Sequence, residues 1–233
     1  HAISTANRYA GSNVLAIDLS LQSLSYAVMQ AEKLGQSNIK FAQGDILNLD
    51  KLDHRFDLIE SSGVLHHMKD PLAGWTTLRN LLKRGGLMRI GLYSSKGRRE
   101  WNGLREVVPP NLDKERVADF IRERRSRVLM KSLKGIDNVI TNIADYYSLS
   151  GCRDLLFHEN EIQFSIPQIA KIITDLNLRF LGFANLMGST EKTFKNKFNS
   201  STDYYDLEKW DIFEQEYPNT FISMYQFWCQ AKD

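Results

Sequence analysis

Apolar residues in the first 95 positions alternate between short continuous runs and runs spaced by three and four, the pattern of strands alternating with helices. Apolar residues at helical spacing predict one helix between Ser20 and Gly35 and another from Pro71 through Leu82. Three strand–helix alternations in this length predict right-handed crossovers and a mostly parallel α/β sheet flanked by helices. The predicted strands are residues 14–18, 39–43, 56–59 and 87–93.

The pattern changes after Ser94. Residues 96–165 contain three amphipathic stretches, 117–121, 128–133 and 136–143, but no strand pattern, and they are too long for one crossover helix. We therefore expect a helical cap over residues 96–165 and a smaller insertion over 188–219. Strands are predicted at 178–183 and 221–229, with a helix starting near Ser165. No Gly/Ser linker separates these pieces, so residues 1–233 are expected to form a single domain.

Composition narrows the choice of partners. The hydrophobic fraction of 42% and the charged fraction of 25% are ordinary for a globular protein, and the net charge of +2 favours neither nucleic acid nor an anionic membrane. Cys152 and Cys229 are too few for a disulfide framework and lack metal-site spacing, and no apolar run approaches the ~20 residues of a membrane span. We expect a soluble, cytoplasmic protein without a metal.

Two carboxylates stand at the ends of successive predicted strands. Asp18 ends the first strand, where a carboxylate can accept hydrogen bonds from two ribose hydroxyls. Asp45 ends the next strand after Gly44, and it can accept from the amine of an adenine that packs against Leu19 and Ile46. Either acid alone is a weak signal, because acidic residues also cap helices. The pair, followed by a small-residue loop after the third strand, is far more specific.

That third segment, residues 56–71, changes from an apolar strand to a tight polar loop and then to a helix start at Asp70-Pro71. We interpret it as one wall of a binding crevice. His66 and His67 follow the loop; imidazole can act as a general base, although a packing role is the alternative, and no third metal ligand accompanies the pair.

Further candidates lie at the end of the fourth strand and beyond it. Tyr93 and Ser94 end that strand and either face a substrate or pack beneath the insertion. Five more residues either line a substrate pocket or are structural: Arg98, Tyr146, Tyr147, Arg153 and His158.

Taken in order, residues 14–20, 44–47, 56–68 and 82–87 resemble successive motifs of class I S-adenosylmethionine-dependent methyltransferases. Residues 147–158 and 180–183 are similar to a bacterial subset of these enzymes that is fused to tetratricopeptide repeats. The resemblance implies a Rossmann-like sheet of strand order 3-2-1-4-5-7-6 with an antiparallel last strand. It also implies a glycine-rich loop after the first central strand. We expect that strand and loop to precede His1 and to be missing from this chain.

The resemblance further implies S-adenosylmethionine as cofactor and a methyl transfer by in-line displacement. The acceptor would be a small molecule or a protein, and a repeat domain could accompany this one in the full-length protein. His66, His67 and Tyr93 are the candidate catalytic residues. A catalytically silent binding module and an NAD-dependent dehydrogenase stay open as alternatives. The candidate cofactor-binding residues are Asp18 with Leu19 at the ribose, Gly44, Asp45 and Ile46 at the adenine, and Ser62 and Gly63 at the methionine end.

Overall fold

A computed structural model describes residues 1–99, 112–113, 116–129, 144–148, 151–152, 160–222 and 224–232. The chain divides into two compact units, one of His1–Arg55 with Ala73–Leu81, the other of Phe56–Leu72 with Leu82–Asp233. The described strands form a two-stranded sheet in the first unit and a four-stranded sheet in the second. None of the described helices has both the length and the apolar character needed to cross a membrane.

In the first unit, β1 (Val14–Asp18) and β2 (Ile39–Gln43) pair in parallel. Helix α2 (Leu21–Lys33) connects them, and Ser20 caps it by accepting a hydrogen bond from the Ser23 amide at 3.2 Å, as the sequence predicts. The unit also contains α1 (Ala2–Arg8) and most of α3 (Pro71–Asn80). Its small core groups Ala6, Ala31 and Ile39 with Val14, Ala16 and Phe41.

In the second unit, the strand order is β3-β4-β6-β5. Strands β3 (Phe56–Ser62) and β4 (Leu82–Tyr93) are parallel, whereas β6 (Met224–Ala231) runs antiparallel to both β4 and β5 (Leu178–Phe183). The antiparallel last strand of the predicted fold is therefore confirmed. The remaining helices are α4 (Val117–Leu129), α5 (Ile166–Asp175), α6 (Gly188–Lys197) and α7 (Leu207–Glu216).

One face of the four-stranded sheet is apolar. Alternate residues of β4 and β6 are fully buried there, because successive side chains of a strand point to opposite faces. Helix α5 packs on β5 and on α7, and α7 adds Trp210 and Phe213 to an aromatic cluster in which the Trp210 and Phe194 rings stack at 3.8 Å. The alternating buried residues are Met88, Ile90 and Leu92 of β4 and Tyr225, Phe227 and Cys229 of β6.

Three predicted boundaries are wrong. Helix α3 ends at Asn80, and Leu82 instead pairs with Phe56 as the first residue of β4, where an irregular register and the positive φ of Gly85 (+67°) make a bulge. The last strand begins at Met224, because Phe221 packs into the aromatic cluster 4.5 Å from the Phe183 ring. Strand β3 continues to Ser62, past its predicted end at residue 59.

Other predictions stay open. Helix α4 confirms a helix within the predicted cap over 96–165, while the amphipathic stretch 136–143 lies outside the described residues. Among the described strands β1 pairs with β2 alone, and β3 with β4 alone. The single domain, its smaller insertion and the strand expected before His1 stay predictions.

Candidate functional site

The first group of predicted residues lies at the carboxyl ends of β1 and β2. The parallel register places Asp18 beside Gln43, whose side-chain amide donates to the Leu19 carbonyl at 2.9 Å. The Gly44 amide donates to the Asp18 carbonyl at 3.2 Å. These two bonds tie the loops after the two strands together, so the two acids of the sequence prediction share one edge of the sheet.

Each of these acids also organises its own loop. Asp18 Oδ1 accepts from the Ser20 amide at 2.8 Å, and Asp45 Oδ1 accepts from the Leu47 amide at 3.0 Å as the cap of a short 3₁₀ helix, Ile46–Lys51. One oxygen of each carboxylate is thus held by the backbone, and the second makes no hydrogen bond to any residue that the structure describes. Leu19 is 67% exposed, and Ile46 is half-buried. Acceptor oxygens and apolar surface are therefore present together at this edge of the sheet.

The second group follows β3. Ser62 is the last residue of β3 and lies opposite Gly91 of β4, and its hydroxyl contacts the Met224 sulfur at 3.7 Å. Gly63 has φ +79° and donates its amide to the Gly91 carbonyl at 3.3 Å. A Cβ on Gly91 would lie 2.3 Å from the Ser62 hydroxyl oxygen. The loop therefore sits where it does because β4 has no side chain at this position.

The predicted catalytic residues come together in the second unit. The His66 ring stacks on Tyr93 with centroids 3.8 Å apart, and the His67 ring meets Tyr93 edge-on at 5.5 Å. His66 is fully buried, whereas His67 is half-buried and its Nδ1 lies 2.9 Å from the Asn160 carbonyl oxygen. Because a carbonyl oxygen can only accept, Nδ1 carries a proton, and in the neutral form of the ring the lone pair is then on Nε2.

The five candidate pocket residues have different surroundings. Arg98 is buried and forms an ion pair with Glu161, and its guanidinium lies 4.0 Å from the Tyr93 ring centroid. Tyr146 is buried, and Tyr147 is 48% exposed. Arg153 and His158 lie outside the described residues. Arg98 is therefore part of a packed group with Glu161 and Tyr93.

Ser94 begins a second buried polar group. The Ser94 and Tyr225 hydroxyls donate to one oxygen of Glu214 at 3.2 Å and 2.7 Å, and the Lys96 ammonium lies 3.4 Å from the other oxygen. Burial raises the pKa of the Glu214 carboxyl above its ordinary value, while the hydrogen bonds and the charge of Lys96 oppose that rise. Ser94 thus anchors the end of β4 to α7.

Sequence reasoning missed several residues that shape these groups, namely Gly91, Asn160, Glu161 and Glu214. A glycine inside a strand pattern often marks the close approach of another backbone, which was an available signal for Gly91. Nothing local distinguishes Glu161 or Glu214 from exposed acids, because their partners are distant in sequence. Among the described residues no three histidine, cysteine or acidic side chains cluster as a metal site would require.

The reversed last strand and the loops at the strand ends define the class of Rossmann-like methyltransferase folds. A family model for the methyltransferase domain matches residues 1–125, more than half of the chain, and the chain belongs to this family. PKMT2 of Rickettsia typhi in complex with AdoHcy shows the same fold, with a TM-score of 0.64 at 15% identity, over 100% of this chain and 46% of its own.

Two proteins are also similar to this chain in sequence. An uncharacterized protein of Synechococcus sp. is 29% identical over 213 residues, which cover 84% of this chain and 49% of the relative. A ubiquinone biosynthesis O-methyltransferase of Cereibacter sphaeroides is 35% identical over 78 residues, 34% of this chain and 31% of the relative. The chain therefore spans about half the length of the cyanobacterial relative, and less of the second.

Replacing Gly91 with alanine is expected to lower the free energy of unfolding by about 1–3 kcal/mol, because the new methyl group overlaps Ser62 in a packed sheet. The amide resonance of Gly63 should shift as its loop is displaced. Urea unfolding and an amide NMR spectrum measure the two effects.

Gly188→Ala is the matched control. A Cβ there would meet no heavy atom within 4 Å, and the residue begins α6. We expect its free energy of unfolding to stay within about 0.5 kcal/mol of the parent. Equal stability of the two variants would contradict the close contact at Gly91.

Glu214→Gln is expected to change how stability depends on pH. The folded protein holds the Glu214 proton more tightly than the unfolded chain does, because burial raises its pKa. The stability that Glu214 contributes is therefore complete below its ordinary pKa of 4.5 and falls as the pH rises above it. The free energy of unfolding of the parent minus that of the variant should decrease between pH 5 and pH 8 in urea titrations.

Glu208→Gln on the same helix is the control, since Glu208 is exposed. Its difference from the parent, measured over the same pH range, is the baseline for Glu214→Gln. A difference for Glu214→Gln that follows this baseline would contradict the raised pKa of the buried carboxyl.

Proposed function

We propose that this chain is the catalytic portion of an S-adenosylmethionine-dependent methyltransferase. The observation that carries the proposal is the pair of acids, Asp18 and Asp45, at one edge of a parallel strand pair in a chain of the methyltransferase-domain family. PKMT2 is described with AdoHcy bound, which supports the same cofactor here. S-adenosylmethionine, when bound, supplies a methyl group on a positively charged sulfur.

The residues present suit this cofactor. Asp18 is the proposed acceptor for the two ribose hydroxyls, and Asp45 is the proposed acceptor for the adenine amine. Each carboxylate has a second oxygen besides the one that accepts from a backbone amide. Leu19 and Ile46 offer apolar surface to the adenine faces, and Gly44 keeps the backbone between them accessible. Ser62 and Gly63 are the proposed contacts of the methionine end.

Methyl transfer by in-line displacement asks the protein mainly to orient the acceptor and exclude water. A base is needed only when the acceptor must lose a proton. Of the two histidines, His67 is the better candidate for that base, because its Nδ1–H donates to Asn160 and its lone pair is therefore on Nε2. His66 is fully buried against Tyr93, which favours a packing role for His66 and for Tyr93.

The acceptor that fits a histidine base is a protic group, a hydroxyl or a protonated amine, on a small molecule or a protein. We propose no membrane or nucleic-acid partner, because the net charge is close to zero at +2. A cytoplasmic location and a repeat domain elsewhere in the full-length protein belong to the same proposal.

Isothermal titration calorimetry on the full-length protein tests the cofactor assignment. S-adenosylmethionine is expected to bind, and NAD is not. Asp18→Asn keeps an oxygen that can accept from the Ser20 amide but removes the charge that strengthens hydrogen bonds to ribose. The affinity for S-adenosylmethionine should therefore fall by about 10- to 100-fold.

Asp206→Asn is the control for that variant. Like Asp18, Asp206 accepts from the amide two residues further on, that of Glu208, at 2.8 Å. It caps α7 and is not a proposed cofactor residue. The affinity of this variant for S-adenosylmethionine should equal that of the parent. Heat with NAD alone would favour a dehydrogenase, and heat with neither ligand a silent module.

His67→Gln is expected to lower the turnover number and leave the affinity for S-adenosylmethionine unchanged, because glutamine cannot accept the acceptor's proton. Formation of S-adenosylhomocysteine is followed with three protic probes: a catechol, a primary alkylamine and a lysine-rich peptide.

His54→Gln, at an exposed position, is the control and should turn over like the parent. Unchanged turnover in His67→Gln would remove His67 as the base. Failure of all three probes with the parent would exclude these protic acceptors.

A further inference from the structure

Arg98 and Glu161 form an ion pair that solvent does not reach. Their side chains are 1% and 0% exposed, and two parallel hydrogen bonds join them, Nε to Oε1 at 3.1 Å and Nη2 to Oε2 at 2.5 Å. Gln163 adds a third hydrogen bond to the Glu161 carboxylate at 3.0 Å. A buried ion pair contributes little to stability compared with apolar residues of the same size, because both charges lose their hydration. Its presence therefore calls for a role in orientation.

The guanidinium of this pair also supports an aromatic stack. Arg98 lies 4.0 Å from the Tyr93 ring centroid, and His66 lies 3.8 Å from the same centroid. Both cannot occupy one face of the ring at such distances, so they lie on opposite faces. Arg98, Tyr93 and His66 thus form a column that the carboxylate of Glu161 closes at one end.

Residues 160–164 connect this column to both strand-end loops through the backbone. The Ile162 amide donates to the His66 carbonyl at 2.8 Å, and the Phe164 amide donates to the Tyr93 carbonyl at 2.9 Å. The Ser95 amide donates in turn to the Phe164 carbonyl at 2.8 Å. One short segment therefore spans the loop after β3 and the end of β4, and Glu161 is its buried anchor.

The same segment determines the state of His67. Asn160, the neighbour of Glu161, accepts the Nδ1–H of His67 at 2.9 Å, and the His67 ring meets His66 edge-on at 4.3 Å. Any shift of the segment would move this carbonyl and release the ring. The tautomer of His67 thus depends on a contact whose position Glu161 and Arg98 hold.

We propose that the Arg98–Glu161 ion pair is a positioning device for the acceptor side of the site. It fixes residues 160–164 so that the Asn160 carbonyl keeps His67 in the Nδ1–H tautomer, with Nε2 as the hydrogen-bond acceptor. The effect on turnover rests on the proposed methyltransferase function, whereas the effect on the tautomer does not. Both are proposed as positioning residues, because they act on His67 through the Asn160 carbonyl.

The first test measures the tautomer directly by ¹⁵N NMR of the histidine side chains, with the His67 signal assigned by its absence in His67→Gln. The parent should show a protonated Nδ1 and an unprotonated Nε2 at neutral pH. Arg98→Lys keeps the charge but loses the planar fork, and Glu161→Gln keeps the shape but loses the charge. Both should show a mixed tautomer signal at His67.

A double variant separates positioning from stability. Arg98→Met combined with Glu161→Leu replaces the pair by apolar side chains of similar size, so it should unfold at the same urea concentration as the parent or a higher one. It should nevertheless lose the single tautomer. Turnover with whichever of the three probes the parent methylates should fall by about 10- to 100-fold, as expected for a misplaced group. The dissociation constant for S-adenosylmethionine should stay within about two-fold, since the pair touches none of the proposed cofactor contacts.

Arg122→Lys is the matched control, because Arg122 forms an exposed ion pair with Asp119 on α4 at 2.8 Å. It should change neither the tautomer nor turnover. If the folded double variant keeps the Nδ1–H tautomer, the positioning proposal is overturned and the pair is structural only. If the parent fails to bind S-adenosylmethionine, the proposed function fails instead, and the NMR result still decides the positioning role.

Discussion

Two buried carboxylates hold the turn that follows β4, and the candidate acceptor side depends on that arrangement. Glu214 binds the Ser94 hydroxyl and lies near the Lys96 ammonium, while Glu161 binds the Arg98 guanidinium. Tyr93 and Ser94 are consecutive, so their side chains leave the strand on opposite faces, and each begins a separate polar network. The turn is therefore fixed from both sides of the sheet, which an apolar anchor on one face could not do.

The strand itself makes such a turn possible. β4 pairs with a parallel neighbour on one side and an antiparallel one on the other, and its residues from Met88 to Tyr93 are buried. Gly91 interrupts this run of side chains at the register position opposite Ser62. Because Gly91 has no side chain, the loop of Gly63 lies against the backbone of β4. The buried strand also fixes the position of the Tyr93 ring at its end.

The sequence was sufficient for the features that depend on local pattern. Hydrophobic periodicity predicted β1, β2, β5, α2 and α5, and the cap at Ser20 followed from residue type alone. It failed at Leu82, where apolar residues at helical spacing belong to a strand, because the bulge at Gly85 is set by pairing with β3. It also left Arg98 undecided and did not single out Glu161, since their contact joins positions 63 residues apart. Loop acids at strand ends have local signatures, whereas buried ion pairs do not.

The two groups of candidate residues are therefore held in place by different kinds of contact. The acids at β1 and β2 are held by hydrogen bonds within their own loops, so a change elsewhere in the chain leaves their geometry intact. The histidines after β3 are held instead by residues 160–164, which follow the long stretch after β4. A change in the position of residues 160–164 would therefore reach His67 through the Asn160 carbonyl. The candidate acceptor side thus depends on contacts between distant parts of the chain, whereas the proposed nucleoside contacts depend on local bonds.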